Sequence, residues 1–537
     1  MEKKAGRLII ILSVLFFLVR LPFLNQLFLL HDERDIVLSG YAIAHSGRDL
    51  FGHPFPLSFN GISPNNPLFA IYYSAIFSLI NPVRSVFYAR LPFVLISTLL
   101  IFLVYQLVRD LTGDKLKAIL TAIFFCFSPW VFHITRLALD IPLAIVFLIT
   151  AMLFYLRRKT LLSFLFFFLT FYTYEGFRLL IPFLIIYLEL FNYLKKPDKR
   201  QLAKKVFIDT IFIFLLIGST LLIDAKVTKS RLGEIIFFNT DKTSQEVIFQ
   251  RLTSVAPAKI QALFSNKLTV AADYVLTNFV KGQDLTYLFK DGDYSAINGN
   301  TASGQFFLIF IALYYLGIAS LGKKIRREDL YIIGFIIVGM IPSLLSTNGS
   351  SFSIRGLLSG IGYAYLIALG VLFAANLLKK YKHKKLIISA FTILLITNIL
   401  YFSYTYFFRR PVTVGELFNE NERSLTNYLL SNQNGNLSIY HNAPQDIYLS
   451  VAFLDNRTTI DSVQKNLQDK NVFHWHNYSF IHCNSGLNYK QMAGAIIGEG
   501  CLSPSIYEYF NNITNKKVTD RIKYKDYSTK TAYFVIE

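Results

Sequence analysis

Long apolar runs constrain the fold of this chain more than any other feature of its sequence. The hydrocarbon core of a bilayer is about 30 Å thick, and a helix needs roughly 20 apolar residues to cross it. Eleven runs of about this length stand between charged loops: residues 8–28, 86–108, 116–133, 138–156, 160–176, 179–194, 206–224, 304–321, 330–346, 356–377 and 386–408. Charged residues make up 16% of the chain, against about 25% in soluble domains. The sequence therefore predicts an α-helical polytopic membrane protein with about eleven transmembrane helices.

Three apolar stretches at the N-terminal end need individual interpretation. Residues 67–80 are too few to span the bilayer and lack a basic flank, so we expect an interfacial or re-entrant helix there. We also expect an interfacial helix at residues 36–45. The first run, residues 8–28, is longer than a signal-peptide core and has no small-residue cleavage pattern. We therefore expect it to be a retained membrane anchor.

Lysine and arginine are concentrated in alternate loops, and cytoplasmic loops carry the basic excess in membrane proteins. These loops are residues 1–7, 109–117, 157–159, 195–205, 323–329 and 379–385. The pattern places the N-terminus in the cytoplasm, with the first external loop (residues 31–85), a large external loop (225–303) and everything after residue 409 on the outer side. Nearly all of the net charge of +20 lies in the basic loops. The charge thus reflects topology, and no nucleic acid is expected as a partner.

The C-terminal residues 411–537 are more polar than the apolar residues 1–410, and we expect them to form a separate extracytoplasmic α/β domain. Its β-like pieces are residues 437–440, 458–460 and 531–536, and its helix-like pieces are 424–430 and 447–453. Cys483 and Cys501 lie there on the oxidising side, where they either pair or remain two thiols. None of the three cysteines belongs to a CxxC or Cys/His cluster, so no structural metal site is predicted.

Ionisable residues at external helix ends carry the functional argument, because they need a partner or a polar cavity at the membrane surface. The first group is His31, Asp32, Glu33, Arg34 and Asp35, directly after the first apolar run. Adjacent carboxylates raise one another's pKa, which favours a general base or a divalent-ion site. The alternative is a solvated membrane boundary without chemistry.

Two further groups combine an acid with an arginine. Arg136 and Asp140 are four residues apart, and Glu175 and Arg178 are three apart beside Tyr174. On a helix the two side chains of each pair would face each other, and their charges could simply neutralise each other. Alternatively, the arginines bind an anionic substrate, and the tyrosine contributes a hydroxyl at the interface.

Arg355 follows a loop rich in serine, asparagine and glycine. Such a loop presents backbone N–H groups to an anion next to the guanidinium fork. Three arginines and several carboxylates on separate external loops meet only if the helices bundle. Together they suit a lipid-linked phosphate and a hydroxyl nucleophile, because arginines neutralise phosphate and a carboxylate accepts the proton.

Five motifs in order resemble bacterial polytopic glycosyltransferases of the GT-C superfamily. They are HDERDIVLSGYAIAHSGRDLFGHPFPL, SPWVFHITRLALD, FYTYEGFRLLIP, YVLTNFVKGQDLTYLFKDGD with the following ASGQFFLIFIALYYLGI, and IPSLLSTNGSSFSIRGLL. The resemblance is to the Rgt-like and dolichyl-phosphate-mannose protein mannosyltransferase-like group, with kinship to aminoarabinose transferases, and covers residues 1 to about 410. It implies a GT-C-type bundle that transfers a sugar, with inversion, from a polyprenyl-phosphate donor to a glycan, lipid or protein hydroxyl. The expected setting is the outer face of the plasma membrane, in the cell envelope.

The resemblance also implies roles for individual residues. Asp32 and Glu33 match the acidic pair of the family, with Asp32 as the base for the acceptor hydroxyl. Arg136, Arg178 and Arg355 match basic positions that would hold the lipid phosphate. The supporting and substrate-binding positions are His31, Asp140, Tyr174 and Glu175. A polyprenyl monophosphate leaving group does not require a metal, so neither a metal nor a cofactor is predicted, although adjacent carboxylates suit a divalent cation.

A rival interpretation is a transporter or flippase for polyprenyl-linked sugars, or a non-catalytic membrane binding protein. Transporters commonly show paired repeats and polar or broken helices near the bilayer midplane. In this sequence the polar residues collect at the outer ends of the runs instead. The pattern therefore favours a transferase over a transporter.

Overall fold

The computed structural model describes the chain in segments: residues 2–59, 67–195, 197–223, 241–323, 325–346, 352–432, 437–468, 472–483, 494–512, 518–523 and 530–536. These residues are mostly helical and form two compact units. The bundle unit comprises Met1–Pro22, Asn66–Phe69 and Phe93–Tyr406. The loop–sheet unit comprises Phe23–Asn65, Ala70–Pro92 and Phe407–Glu537.

The helices of the described residues are numbered α1 to α26. In chain order they are α1 (Glu2–Leu18), α2 (His31–Ser46), α3 (Leu68–Ile80), α4 (Val86–Ser97), α5 (Leu99–Thr112), α6 (Lys115–Cys126), α7 (Pro129–Ile134), α8 (Ile141–Leu156), α9 (Thr160–Thr173), α10 (Glu175–Lys195), α11 (Lys199–Ile223), α12 (Asp241–Leu252), α13 (Ala258–Phe264), α14 (Lys267–Gln283), α15 (Leu285–Phe289), α16 (Phe310–Lys323), α17 (Arg327–Ile333), α18 (Phe335–Leu344), α19 (Phe352–Arg355), α20 (Ser359–Leu378), α21 (Lys384–Tyr404), α22 (Arg410–Val414), α23 (Glu420–Ser431), α24 (Pro444–Leu454), α25 (Ile460–Gln468) and α26 (Pro504–Asn512).

Within the described segments, five helical stretches are long and apolar enough to cross a membrane: Val86–Thr112, Glu175–Lys195, Lys199–Ile223, Ser359–Leu378 and Lys384–Val414. Shorter apolar helices accompany them, among them α3, α8, α9 and α16. The apolar windows of Lys199–Ile223 and Lys384–Val414 are only 17% and 6% buried. Apolar surface on this scale is rare on soluble proteins. These helices are those of a membrane protein, while the number of eleven crossings and their orientation stay predictions.

Several boundaries differ from those predicted. The run 8–28 is not one helix, because α1 ends at Leu18 and residues 19–30 form turns. The run 116–133 is divided between α6 and α7 where Ser128 caps the helix that Pro129 begins. The run 330–346 is divided at Gly334 between α17 and α18. The predicted interfacial helices at residues 36–45 and 67–80 are confirmed as helices, namely α2 and α3.

Two glycines explain the tightest helix pair of the bundle unit, α16 against α20. A Cβ atom added to Gly317 would lie 2.0 Å from the carbonyl oxygen of Leu366, and one added to Gly370 would lie 1.8 Å from that of Leu313. Any larger residue would force the backbones apart. Close approach at small residues is a common way to pack helices in membranes.

The loop–sheet unit contains one six-stranded mixed sheet. Its strands are β1 (Ser438–His441), β2 (Val472–Trp475), β3 (Tyr478–His482), β4 (Ala495–Gly498), β5 (Val518–Lys523) and β6 (Thr531–Ile536). Their spatial order is β2-β3-β1-β4-β6-β5. β1 pairs in parallel with β3 and β4, and the other pairs are antiparallel. The predicted small C-terminal α/β fold is confirmed, except that residues 458–460 form no strand, since α25 begins at Ile460.

The first external loop and the C-terminal residues share one hydrophobic core. Leu38 and Ala42 of α2, together with Leu50, pack in the same cluster as Ile447 of α24 and Ile496 of β4. All five side chains are at most 1% exposed. α2 is therefore fixed by the sheet domain. Cys483 and Cys501, whose pairing the sequence left open, form a disulfide in this unit.

Candidate active site

Arg355 is the centre of a polar cluster in the bundle unit. It lies at the end of the single-turn helix α19, and its Nη1 donates a hydrogen bond to the Ser346 hydroxyl. The guanidinium is also hydrogen-bonded to the Tyr174 hydroxyl and lies within electrostatic range of Asp293. The predicted anion loop before Arg355 falls largely on residues 347–351, which lie outside the described residues.

Asp293 is a buried carboxylate in the glycine-containing segment 292–299. It is 6% exposed. One carboxylate oxygen accepts hydrogen bonds from the backbone N–H and the hydroxyl of Ser353, at 2.8 and 2.6 Å. Burial raises the pKa of Asp293, although these hydrogen bonds and the charge of Arg355 oppose the rise. Asp293 therefore helps to orient α19, the helix that ends at Arg355.

Segment 292–299 of the large external loop is held by polar contacts at several points. The Ile297 carbonyl lies 2.9 Å from Nε2 of His133. The Ser353 hydroxyl, which donates to Asp293, also lies 3.0 Å from the Asn298 carbonyl oxygen. Movement of this segment would therefore break contacts with both α7 and α19.

Tyr174 brings three predicted site residues together. It lies between α9 and α10, and its hydroxyl is within electrostatic range of the carboxylates of Asp140 and Glu175 as well as bonded to Arg355. Asp140 is the residue that precedes α8, and Glu175 opens α10. Asp140, Tyr174, Glu175 and Arg355 therefore form one polar cluster, although they come from three separate sequence motifs.

The two other predicted phosphate-binding arginines are buried against aromatic rings. Arg178 is 9% exposed, and its Nε donates to the Phe171 carbonyl at 3.1 Å. Arg136 is 5% exposed and donates from Nη1 to the Arg20 carbonyl at 2.6 Å. Its guanidinium carbon lies 5.6 Å from the ring centre of Tyr406. Such packing fixes the position of each guanidinium group.

Asp32 and Glu33, the predicted acidic pair, have opposite environments in the loop–sheet unit. Asp32 is exposed in the first turn of α2. Glu33 is fully buried, and its two carboxylate oxygens accept hydrogen bonds from Nε and Nη2 of Arg90 at 2.8 and 2.7 Å. The Leu30 backbone N–H also donates to Glu33 at 3.0 Å, as in a capping box. Glu33 therefore fixes the start of the helix and leaves Asp32 as the accessible carboxylate.

Arg34 holds a second set of charges on the same helix. It is fully buried and bonds Oδ1 of Asp35 at 2.9 Å and Oδ1 of Asp446 at 2.8 Å. His31, the other predicted supporting residue, bonds Oε1 of Glu422 through Nε2 at 2.7 Å. The α2 residues therefore meet acids of α23 and α24, which lie about 390 to 410 positions later in the chain.

The pKa values of this set follow from burial and from the arginine. Burial raises the pKa of Asp35 to about 6 against the opposing charge of Arg34, with a smaller contribution from Asp446. Burial would also raise the pKa of Glu422, but the hydrogen bond and charge of His31 outweigh it and lower the pKa. The hydrogen bond to Glu422 and the charge of Glu422 raise the pKa of His31, although burial alone would lower it. The carboxylates thus titrate in different pH ranges.

Asp35 should therefore give the loop–sheet unit a pH-dependent stability. Its folded pKa is raised, so its contribution is complete below the unfolded pKa near 4 and is lost as the pH rises through about 6. Because the pKa values of Glu422 and Asp446 are lowered, their contributions are complete above the unfolded pKa values, about 4 to 4.5, and are lost as the pH falls further. We expect the native protein to lose about 2 kcal/mol of unfolding free energy between pH 4.5 and 7 through Asp35. Asp35→Asn should remove most of this loss in thermal or denaturant unfolding.

The control for this prediction is Asp461→Asn, a change at an exposed acid of α25. This variant should keep the native pH dependence of unfolding. An Asp35→Asn protein whose stability falls between pH 4.5 and 7 as steeply as that of the native protein would contradict the assignment.

The structure also identifies residues that the sequence did not single out. Arg90, Glu422 and Asp446 have no motif of their own, and each becomes recognisable only through its contact with α2. Arg20, within the first apolar run, is fully buried and donates to the Thr135 hydroxyl at 2.7 Å. Among the described residues, no group of three or more His, Cys, Asp or Glu side chains has metal-binding geometry.

Comparison with known proteins gives structural neighbours only. No protein-family profile and no curated protein sequence matches this chain. ArnT from Cupriavidus metallidurans bound to undecaprenyl phosphate matches with a TM-score of 0.48 and 11% identity, over 100% of this chain and 98% of ArnT. The archaeal oligosaccharyltransferase AglB from Archaeoglobus fulgidus, in complex with an inhibitory peptide and a dolichol-phosphate, matches with a TM-score of 0.45 and 12% identity, over 86% of this chain. The arabinofuranosyltransferase AftD from Mycobacteria matches with a TM-score of 0.42 and 11% identity, over 92% of this chain.

These neighbours are GT-C glycosyltransferases. The matched region spans 64% of the AglB chain and 35% of the AftD chain. Because every TM-score lies below 0.5 and every identity is low, the likeness adds no weight to an assignment of function. The function proposed below rests on the residues of this chain.

Proposed function

We propose that this protein is an inverting glycosyltransferase that moves a sugar from a polyprenyl-phosphate donor to an acceptor hydroxyl. The observation that carries the proposal is the division of the acidic pair at the start of α2. Glu33 is buried and bonded to Arg90, whereas Asp32 is exposed on a helix that Glu33, Arg34 and the sheet domain hold in place. An exposed carboxylate on a helix that is held in place suits a general base.

In the proposed reaction the acceptor hydroxyl attacks the anomeric carbon of the sugar. The new carbon–oxygen bond forms as the bond between the sugar and the lipid phosphate breaks, so the configuration is inverted. The hydroxyl proton passes to Asp32, and the polyprenyl phosphate leaves with the electron pair of the broken bond. Arg136, Arg178 and Arg355 stabilise the charge that develops on this phosphate.

Glu33 and His31 are positioning residues in this proposal, because they act through the start of α2. Asp140, Tyr174 and Glu175 orient Arg355 and offer hydroxyl and carboxylate groups to the sugar. The reaction needs no metal, since arginines neutralise a monophosphate leaving group. We also propose that the reaction takes place on the outer face of the membrane, because the distribution of basic loops predicts that orientation. The plasma membrane as its location is what the family resemblance implies.

Arg355 gives a direct test of the phosphate-binding role. We expect Arg355→Gln to lower kcat/KM for a polyprenyl-phosphate sugar by about 100- to 1000-fold, because a preorganised donor to the leaving phosphate is lost. The kcat/KM of Arg355→Lys should lie between those of the native protein and Arg355→Gln, since lysine keeps the charge but not the planar fork. The measurement is donor consumption, together with inhibition by free polyprenyl phosphate.

The matched control for Arg355 is Arg327→Gln, which removes an exposed arginine from α17. It should retain native kinetics and native inhibition. If Arg355→Gln is inhibited by polyprenyl phosphate as strongly as the native protein while its melting temperature is unchanged, Arg355 does not bind the leaving phosphate.

A further inference from the structure

An open cavity of about 570 Å³ lies in the bundle unit where α5, α8 and α10 end. Its size is within the range of small-molecule sites. Three basic residues line it, Arg157, Arg158 and Lys195, with Asp110 as the acidic member. The charge rule places its three basic loops, residues 109–117, 157–159 and 195–205, on the cytoplasmic side, so the cavity is separate from the candidate active site. This inference does not depend on the proposed function.

The cations of the cavity are only partly neutralised. Arg157 is paired with Asp110 at 2.7 Å. Arg158 lies 3.8 Å from Glu189, which is beyond hydrogen-bond distance, and has a left-handed backbone with φ of 60°. Lys195 has no ion pair or hydrogen bond within the residues that the structure describes. The cavity therefore presents excess positive charge.

Asn192 gives an independent indication of a ligand. It lines the same cavity and is 7% exposed. Its side-chain Nδ2 is buried without a hydrogen-bond acceptor among the described residues. A buried donor without an acceptor is costly, and an oxygen-rich anion in the cavity would supply one.

The surface of α10 that leads to the cavity is apolar and exposed. Phe183, Ile186, Leu190 and Leu194 are 48%, 63%, 49% and 42% exposed. Their spacing of three and four residues places them on one helix face, which ends beside Lys195. An acyl chain would fit along this face with its headgroup at the basic cavity.

We propose that this cavity binds the phosphate of an anionic phospholipid headgroup, with an acyl chain along the exposed face of α10. Arg158 and Lys195 would provide the charge, and Asn192 would donate to a phosphate oxygen. Basic pockets between helices at the cytoplasmic side are suited to anionic headgroups, and each lysine or arginine near an anionic surface adds to the attraction. Arg157 would contribute less, because Asp110 already neutralises it.

The experiment measures lipid binding to the purified full-length protein, by native mass spectrometry and by titration in detergent. The probes are phosphatidylglycerol, phosphatidylcholine and inorganic phosphate. Arg158→Gln combined with Lys195→Gln should weaken phosphatidylglycerol binding by about 30-fold, from two cationic contributions. The control, Lys380→Gln combined with Lys382→Gln, removes two charges from another basic loop, where both side chains are exposed. It should bind as the native protein does.

Asn192→Leu provides a second test that leaves the charge unchanged. It should raise the melting temperature of the lipid-free protein, because an unsatisfied buried donor is removed, and should weaken phosphatidylglycerol binding. Equal loss of binding in the two double variants would overturn the proposal in favour of diffuse attraction. Binding of inorganic phosphate as tight as that of phosphatidylglycerol would overturn the lipid assignment, and so would equal binding of phosphatidylcholine.

Discussion

Replacing Asp32 with asparagine is expected to lower the rate of sugar transfer by about 100- to 10,000-fold, the usual contribution of a general base. Asparagine has nearly the same shape as aspartate but does not accept the proton of the acceptor hydroxyl. Asp32 is exposed in the first turn of α2, so folding should be unaffected, and donor binding should change little because the arginines hold the phosphate. The measurement is kcat and donor KM for purified native and variant protein.

Asp461→Asn is the matched control, since Asp461 is an exposed acid in the first turn of α25 in the same unit. It should transfer sugar at the native rate. An Asp32→Asn protein that stays within twofold of native kcat would contradict the base assignment. If the drop in kcat is accompanied by a large drop in melting temperature, Asp32 has a structural role instead.

Replacing Arg90 with glutamine is expected to cost about 3 to 5 kcal/mol of unfolding free energy, because it leaves the buried Glu33 without its charge partner. Arg90 is 4% exposed. Besides its two bonds to Glu33, it donates to the carbonyl groups of Leu24, Leu27 and Phe28 at 2.8 to 3.0 Å. Its loss would leave these carbonyl acceptors, which lie in the turn that leads into α2, without their donor. Chemical denaturation monitored by near-UV circular dichroism would measure the change.

Arg48→Gln is the comparison for Arg90, since the Arg48 side chain is exposed in the same external loop. We expect this surface change to remain within about 0.5 kcal/mol of the native protein. If Arg90→Gln is no less stable than Arg48→Gln, the pair between Arg90 and Glu33 does not hold the start of α2.

Apolar composition predicted the membrane helices, but it does not distinguish lipid from a protein core. The run 8–28 illustrates this limit. Its second half has turns instead of a helix. Leu24 and Phe28 lie in the loop–sheet unit, and each is at most 1% exposed. A hydropathy window assigns the same value to either environment, so the end of α1 at Leu18 was not predictable.

The candidate site was predictable in its residue types but not in its division of roles. Asp32 and Glu33 are adjacent and chemically alike, and only their partners distinguish them. Arg90 lies 57 residues from Glu33, and Glu422 lies 391 residues from His31. Contacts over such distances depend on tertiary structure, which a single sequence does not reveal. The joining of Tyr174 to Arg355 was likewise hidden, because it depends on how α10 packs against α18, the helix that precedes α19.

The central claim is that this protein breaks the bond between a sugar and a polyprenyl phosphate. The most direct measurement offers the purified native protein in vesicles a panel of polyprenyl-phosphate sugars with hydroxyl acceptors, and follows release of polyprenyl phosphate beside Asp32→Asn. We predict that the native protein consumes one donor, yields an inverted product and releases one polyprenyl phosphate per transfer, while Asp32→Asn spares the donor. Donors that bind or cross the membrane intact, with no sugar released from any of them, would contradict the claim and favour a transporter.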